Sequence, residues 1–210
     1  MRNLNEPYTL PVQIQAVHRS APGFELYVPR AVNMQNQDAQ NSINDAINRQ
    51  VYAMLKDFGY FEQPGSISIY GFYEVKTNER GLLSISLNIY SYPDKAAHGT
   101  TVIKSLTFDI ATGKVYSLGE LFAPGSNYVQ IISDQIQAQI AERDVPVLQP
   151  FTAIRPDQDY YVADKALVVY FQLYEWTPYV YGFPMFPISV YKLESIIPEN
   201  SPLQPMAING

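Results

Sequence analysis

The chain is predicted to be an α+β protein, with largely antiparallel sheet and two main helices packed on one face. Three observations predict it. Several segments alternate apolar and polar residues with the period of a half-buried strand. Two others repeat apolar residues at spacings of three and four, the stripe of an amphipathic helix. Hydrophobic residues make up 47% of the 210 and charged residues 16%, a composition that buries a core rather than staying disordered. The order is a hairpin, a helix, three strands, a second helix and roughly three more strands, so that neighbouring strands are joined by short turns and pair antiparallel.

The hairpin comes from Val12-Gln13-Ile14-Gln15-Ala16-Val17 and Phe24-Glu25-Leu26-Tyr27-Val28-Pro29, joined through Ala21-Pro22-Gly23. A polar stretch from Asn33 to Asn41 opens into Ile43, Ile47, Val51, Met54, Leu55 and Phe58, the first helix. Ser42 or an earlier Asn caps it, and Gly59 stands where a left-handed residue ends a helix. Strands follow at Ser66 to Lys76, Leu82 to Tyr92 and Thr101 to Ile110, the first two joined by a hairpin-length loop ending in Gly81. A turn at Asp109 to Lys114 leads into a short strand at Val115-Tyr116. Ser117 and Glu120 then stand at capping-box spacing over one helical turn. The second helix runs from about Asn127 to Arg143, with Val129, Ile132, Ile136 and Ile140 as its stripe, Ser126 or Asn127 as its cap, and Pro146 and Pro150 beyond its end. Leu167 to Leu173 is an almost unbroken apolar and aromatic run of strand length, expected at the centre of a sheet. A last strand is expected at Phe186 to Leu193, and the Pro- and Asn-rich stretch 198–210 is expected to be a loose tail.

Charge and cysteine usage exclude several classes. The formal charge is -6 and the fourteen basic residues are scattered singly, whereas phosphate backbones are met by concentrated Lys/Arg fields, so no nucleic acid is expected. With no cysteine there is no disulfide, thiol nucleophile or thiolate metal site. Met1 to Pro7 lacks the apolar core of a signal peptide, and no apolar run approaches the roughly 20 residues of a membrane helix. No cofactor is expected, because the glycines form no phosphate-binding loop.

The candidate site is the loop after the central strand. From Glu175 to Pro187, Pro178, Pro184, Pro187 and Gly182 punctuate a segment carrying Trp176, Tyr179, Tyr181, Phe183 and Phe186. Proline fixes φ and removes a ladder donor, so this is a stiff loop rather than a continuing central strand. Tyr174, Trp176, Pro178, Tyr179 and Tyr181 are taken as the partner-binding residues. Large rings bury much area at little rotamer cost, and a preorganised loop loses less entropy on binding. Alanine at Trp176 and Tyr179 is expected to abolish binding with the fold intact. In a chain with seventeen tyrosines, the same rings also suit packing the open end of a sheet.

No catalytic residue is assigned. His98 sits in a turn and reads as a residue that fixes its loop by hydrogen bonding, and His18 as a surface residue. Asp157, Asp159 and Asp164 cluster in sequence, but around them there is neither the central glycine nor the distal glutamate of a calcium loop, so they read as turn formers and no metal is expected. Gly125-Ser126-Asn127 is no nucleophile elbow. Paired carboxylates for glycoside hydrolysis are a property of the fold, and nothing in the sequence singles out a pair.

Ala97-His98-Gly99, Leu106-Thr107-Phe108-Asp109, Thr112-Gly113-Lys114, Leu118-Gly119-Glu120-Leu121-Phe122 and Tyr174-Glu175-Trp176-Thr177-Pro178-Tyr179, with Gly182 and Pro184, together resemble one bacterial domain. It is the domain of unknown function in the extracellular part of RsiV-type anti-sigma factors and the non-catalytic part of PdaC-type polysaccharide deacetylases. The resemblance covers roughly Leu82 to Leu193. It divides the chain into a smaller hairpin-plus-helix domain at 1–80, the RsiV/PdaC-like domain at 81–197, and the tail. It implies a Gram-positive bacterial source and an α+β fold. It also implies a non-enzymatic binding module, often extracytoplasmic, that recognises a basic protein such as lysozyme, or peptidoglycan. The alternatives are a cytoplasmic or spore-associated structural protein and an accessory domain of a wall-polysaccharide hydrolase or deacetylase.

Overall fold

The computed structural model describes residues 9–63 and 65–207. The first hairpin forms as expected but with longer strands, β1 (Gln13–Ala21) and β2 (Phe24–Val32). Helix α1 (Gln37–Asp57) follows, and its N-cap is the earlier asparagine: the Asn36 side chain accepts from the backbone N–H groups of Asp38 and Ala39. Gly59 takes a φ of 73° just past its end. Three long strands come next, β3 (Ile67–Glu79), β4 (Leu82–Pro93) and β5 (Thr100–Asp109). Together the five make one sheet in the order β1-β2-β3-β4-β5. All neighbours are antiparallel except β2 and β3, which run parallel. Parallel neighbours need a crossover, and α1 supplies it.

Alternation sets the faces of this sheet. Leu83, Ile85, Leu87 and Ile89 of β4 point to the side covered by α1, where they meet Ile43 and Ile47 in one apolar cluster. Ser84, Ser86, Asn88 and Tyr90 point the other way.

Residues 118–121 form a single 3-10 turn, in which Ser117 donates from both N and Oγ to Glu120 Oε2 at 2.8 Å. Val115 makes only an isolated bridge to Phe108 in place of a strand. Helix α2 (Tyr128–Glu142) begins at Asn127, whose side chain makes no capping bond. Three short strands then form a second antiparallel sheet, β6 (Tyr160–Ala163), β7 (Ala166–Tyr170) and β8 (Met185–Ser189), with β7 at its centre as its apolar run requires. Ile132 and Ile136 of α2 join Val169, Phe171 and Phe186 in a second core. Each helix thus lies on one face of its own sheet.

β6 crosses the outer face of the five-stranded sheet through side chain to backbone bonds. Val162 N donates to Ser84 Oγ at 3.1 Å, and Thr77 Oγ1 donates to Val162 O at 2.9 Å. Ser105 Oγ donates to Tyr160 O. Small hydroxyl residues stand where the two backbones approach, satisfying groups that burial would otherwise strand.

Residue 80, the expected boundary between the two domains, lies in the turn of the β3–β4 hairpin, whose strands pair from Ile67–Pro93 to Glu79–Leu82. Two expectations are corrected. The final strand stops at Ser189 and continues as a 3-10 segment, Val190–Ile196, which turns Leu193 and Ile196 into the second core. The described part of the tail is packed rather than loose. Leu203 and Met206 are fully buried, and Ser201 Oγ donates to Leu121 O at 2.6 Å. Residues 208–210 lie outside the described residues.

Candidate functional site

The loop between β7 and β8 is fastened before it presents anything. Gln172 N donates to Glu175 Oε2 at 2.8 Å and Glu175 N to Gln172 O at 3.2 Å, closing a turn in which Tyr174 takes a left-handed φ of 64°. The other oxygen of Glu175 pairs with Arg155. Leu148 N donates to Trp176 O at 2.8 Å, tying the loop to the segment after α2. Pro178 then starts a 3-10 turn over Tyr179–Tyr181, in which Tyr181 N donates to Pro178 O at 2.9 Å and Gly182 N to Tyr179 O at 3.0 Å. Gly182 leaves that turn at φ 79° and ψ -144°, a conformation open to glycine because it has no Cβ. Arg143 holds the far side, donating from Nη1 to Met185 O at 2.9 Å and from Nη2 to Tyr181 Oη at 3.3 Å.

The five predicted residues divide into two groups. Tyr174 and Tyr179 stand together at the surface, 58% and 44% exposed, with ring centroids 5.4 Å apart. Trp176 turns inward, edge-on to Phe151 at 5.1 Å and Phe171 at 6.2 Å. Tyr181 is half-buried against the same core, and Pro178 is half-buried as the start of the turn. Trp176 is half-buried and packs against the second core, so its loss bears on packing as well as on any contact with a partner.

Two residues that were not singled out as binding groups complete the exposed surface. Val180, at the tip, is 92% exposed. An apolar residue between two tyrosines, bracketed by Pro178 and Gly182, was the available signal. His98 lies across from the loop, its ring 6.1 Å from that of Tyr179. Its Nδ1 stands 3.2 Å from Gly99 O, in keeping with a loop-fixing role. The aspartates go elsewhere. Asp159 accepts from Lys104 Nζ at 2.9 Å, Asp164 occupies the left-handed turn between β6 and β7, and Asp157 lies beside Arg155. Among the described residues no three His, Asp or Glu side chains converge as a metal site. What the arrangement offers is area: two rings with hydroxyls, an isopropyl group and an imidazole, displayed on a braced loop.

Residues 119–191, which span α2, the second sheet and this loop, match the family described as "Protein of unknown function (DUF3298)". The chain is 27% identical over 189 residues to the anti-sigma-V factor RsiV of Bacillus subtilis (strain 168), an alignment covering 83% of this chain and 65% of that protein. The chain thus spans just under two thirds of the length of that relative. Two solved structures share the fold. One is a DUF3298 family member from Bacteroides fragilis NCTC 9343, with a TM-score of 0.70 at 15% identity over 95% of this chain and 98% of that one. The other is a DUF3298 family protein from Pseudomonas aeruginosa PAO1, with a TM-score of 0.67 at 19% identity over 94% of this chain and 98% of that one. The resemblance read from the motifs is borne out.

Proposed function

We propose that this chain is a non-enzymatic binding module that captures a basic protein partner on Tyr174, Tyr179 and Val180. The observation that carries the reading is that these three apolar and aromatic side chains are held outward by a loop whose other rings are spent on anchoring it. Rings fixed in this way lose little rotamer freedom on contact and supply the anchor residues of binding hot spots. The similarity to an anti-sigma factor supports a protein-binding role, and RsiV-type domains make lysozyme the first partner to try. A charge of -6 favours encounter with a basic protein. An extracytoplasmic location is part of the same reading, and no described helix is long and apolar enough to cross a membrane.

Calorimetric titration with a c-type lysozyme at two salt concentrations tests it. Saturable binding that weakens with salt is expected, and Tyr174→Ala/Tyr179→Ala should lose it while unfolding at the unmodified protein's temperature. Binding that survives the double substitution would remove the loop from the interface.

A further inference from the structure

β1 lies at one edge of the five-stranded sheet, paired with β2 on one side and with no described strand on the other. Ala21 faces Phe24 across the two-residue turn Pro22-Gly23, and the pairing runs without a bulge to Gln13 opposite Val32. Across so tight a turn the last pair exchanges both backbone bonds, so Ala21 and every second residue before it bond to β2. The N–H and C=O groups of Ser20, His18, Ala16 and Ile14 then point outward. Pro29 agrees with this phase: it has no N–H to give, and it stands opposite Ala16, at a pair that exchanges none. Exposed edges are commonly blunted by proline, lysine or a bulge, and β1 carries none of the three.

Beside this edge, on the side of α1, two cavities run together. One, of about 590 Å³, is walled by Phe24, Val51, Tyr52, Leu55, Tyr60 and Phe61. Tyr52 and Phe61 are 58% and 43% exposed and stack at 4.9 Å. The other, of about 460 Å³, is polar and includes Val17, Arg30, Asn41, Asn44 and Asp45. Arg19 and Asn48 line both, with Arg19 Nη2 donating to Asn48 Oδ1 at 3.0 Å, and Arg49 lines the apolar one. Arg19, Arg30 and Arg49 thus border one groove against a single acid among its described lining residues, Asp45, in a chain of charge -6.

We propose that β1 takes up an extended, acidic segment of a partner protein as an added strand, with carboxylates over the three arginines and an apolar side chain in the aromatic cavity. Backbone bonds along an edge supply affinity in such an addition, and pockets for alternate side chains supply specificity. Charge complementarity selects the partner, because the groove reverses the sign of the chain as a whole. A second copy of this chain meets the wrong charge. Pairing β1 with itself about Val17 sets Arg19 of each copy opposite Gln15 of the other, next to Arg30 across the ladder, and so gathers the arginines of both copies. A small anion or a lipid headgroup meets the arginines but leaves the outward backbone groups of β1 unused.

The test is titration of the full, isotopically labelled chain with the acetylated and amidated octapeptide Leu-Thr-Glu-Thr-Glu-Thr-Glu-Thr, which places leucine and the glutamates on one face of a strand. Amide exchange at Ile14, Ala16, His18 and Ser20 should slow, and binding should weaken with salt. The same peptide with lysine for glutamate should not bind. Arg19→Glu/Arg49→Glu should weaken binding at least about tenfold. Ala16→Pro should weaken it as well, because it removes an outward N–H and leaves the bonds to β2 in place. The Tyr174→Ala/Tyr179→Ala chain should bind the peptide as the unmodified chain does, so this reading and the preceding one fail separately. No response to the acidic peptide, equal binding of the lysine peptide, or unchanged exchange at the four amides overturns the proposal. So does a concentration-dependent dimer that buries β1, which would give the edge to a second copy.

Discussion

The Trp176 indole meets the Phe151 ring edge-on with centroids 5.1 Å apart, across 25 residues of sequence that include the whole of β6 and β7. That contact decides what the loop can do. Because Trp176 is consumed in holding the loop against the second core, the surface is left to Tyr174, Tyr179 and Val180. Trp176→Ala should therefore lower stability by about 2–3 kcal/mol, somewhat less than full burial of a tryptophan implies. Denaturant unfolding measures it, and an unchanged midpoint would make the indole a free binding group after all.

The two sheets are joined through hydroxyls, and Ser84 is the clearest case. It is fully buried and accepts from Val162 N while sharing a hydrogen bond with Thr107 Oγ1 at 2.9 Å. Ser84→Ala leaves the Val162 amide without a partner and should cost about 1–3 kcal/mol. Hydrogen exchange at Val162 should speed up selectively, and exchange as slow as in the unmodified chain would show that another group takes over.

Glu120 gives the chain an acid-sensitive contact. A hydrogen bond from Lys114 first, then the backbone and hydroxyl of Ser117, hold its carboxyl well down, from 4.5 to about 2. A depressed folded-state value contributes stability that is present above pH 4.5 and is lost as pH falls from there toward 2. The side chain is 44% exposed, so solvent screening limits the contribution to under about 1 kcal/mol. The stability gap between the unmodified chain and Glu120→Gln should close over that pH window. A constant gap would mean that the carboxylate's charge is irrelevant.

At the alkaline end, burial pushes the phenols of Tyr160 and Tyr170 far above 10.0. Tyr170 is fully buried with its hydroxyl 2.8 Å from Ser105 Oγ, and Tyr160 donates to Tyr116 O at 2.7 Å. Raised values mean that their contribution is intact below pH 10.0 and declines as pH rises above it. Phenolate absorbance should show two tyrosines that ionise only as the protein unfolds. All seventeen titrating together in the folded protein would contradict their burial.

Gly99→Ala tests how closely the loop between β4 and β5 packs on β4. A methyl group there collides with both the Tyr90 ring and the Ser91 carbonyl. Overpacking of this kind costs about 1–3 kcal/mol, and the ring resonances of Tyr90 and His98 should shift together. Unaltered resonances would show that the loop can move aside freely.

The sequence by itself determined the elements. The alternation of β4, the stripes of α1 and α2, the apolar run of β7 and the prolines after it are local patterns. Periodicity and fixed φ angles convert them into strand, helix and stiff loop with no help from distant residues. The tertiary structure decided which side of each element meets water. Trp176 and Tyr179 belong to one chemical class three residues apart, and only the distant Phe151 makes the first a core residue and leaves the second outside. The same holds for Tyr70 and Phe72, which alternate in β3 like any strand residues until the placement of β6 over Thr77, Ser84 and Ser105 leaves their part of the face open. The tail shows it as well: a Pro- and Asn-rich composition reads as loose, yet Leu203 and Met206 find an unfilled edge of the second core. Burial arises from contacts between residues far apart in the chain, and no local pattern records the partner that will arrive.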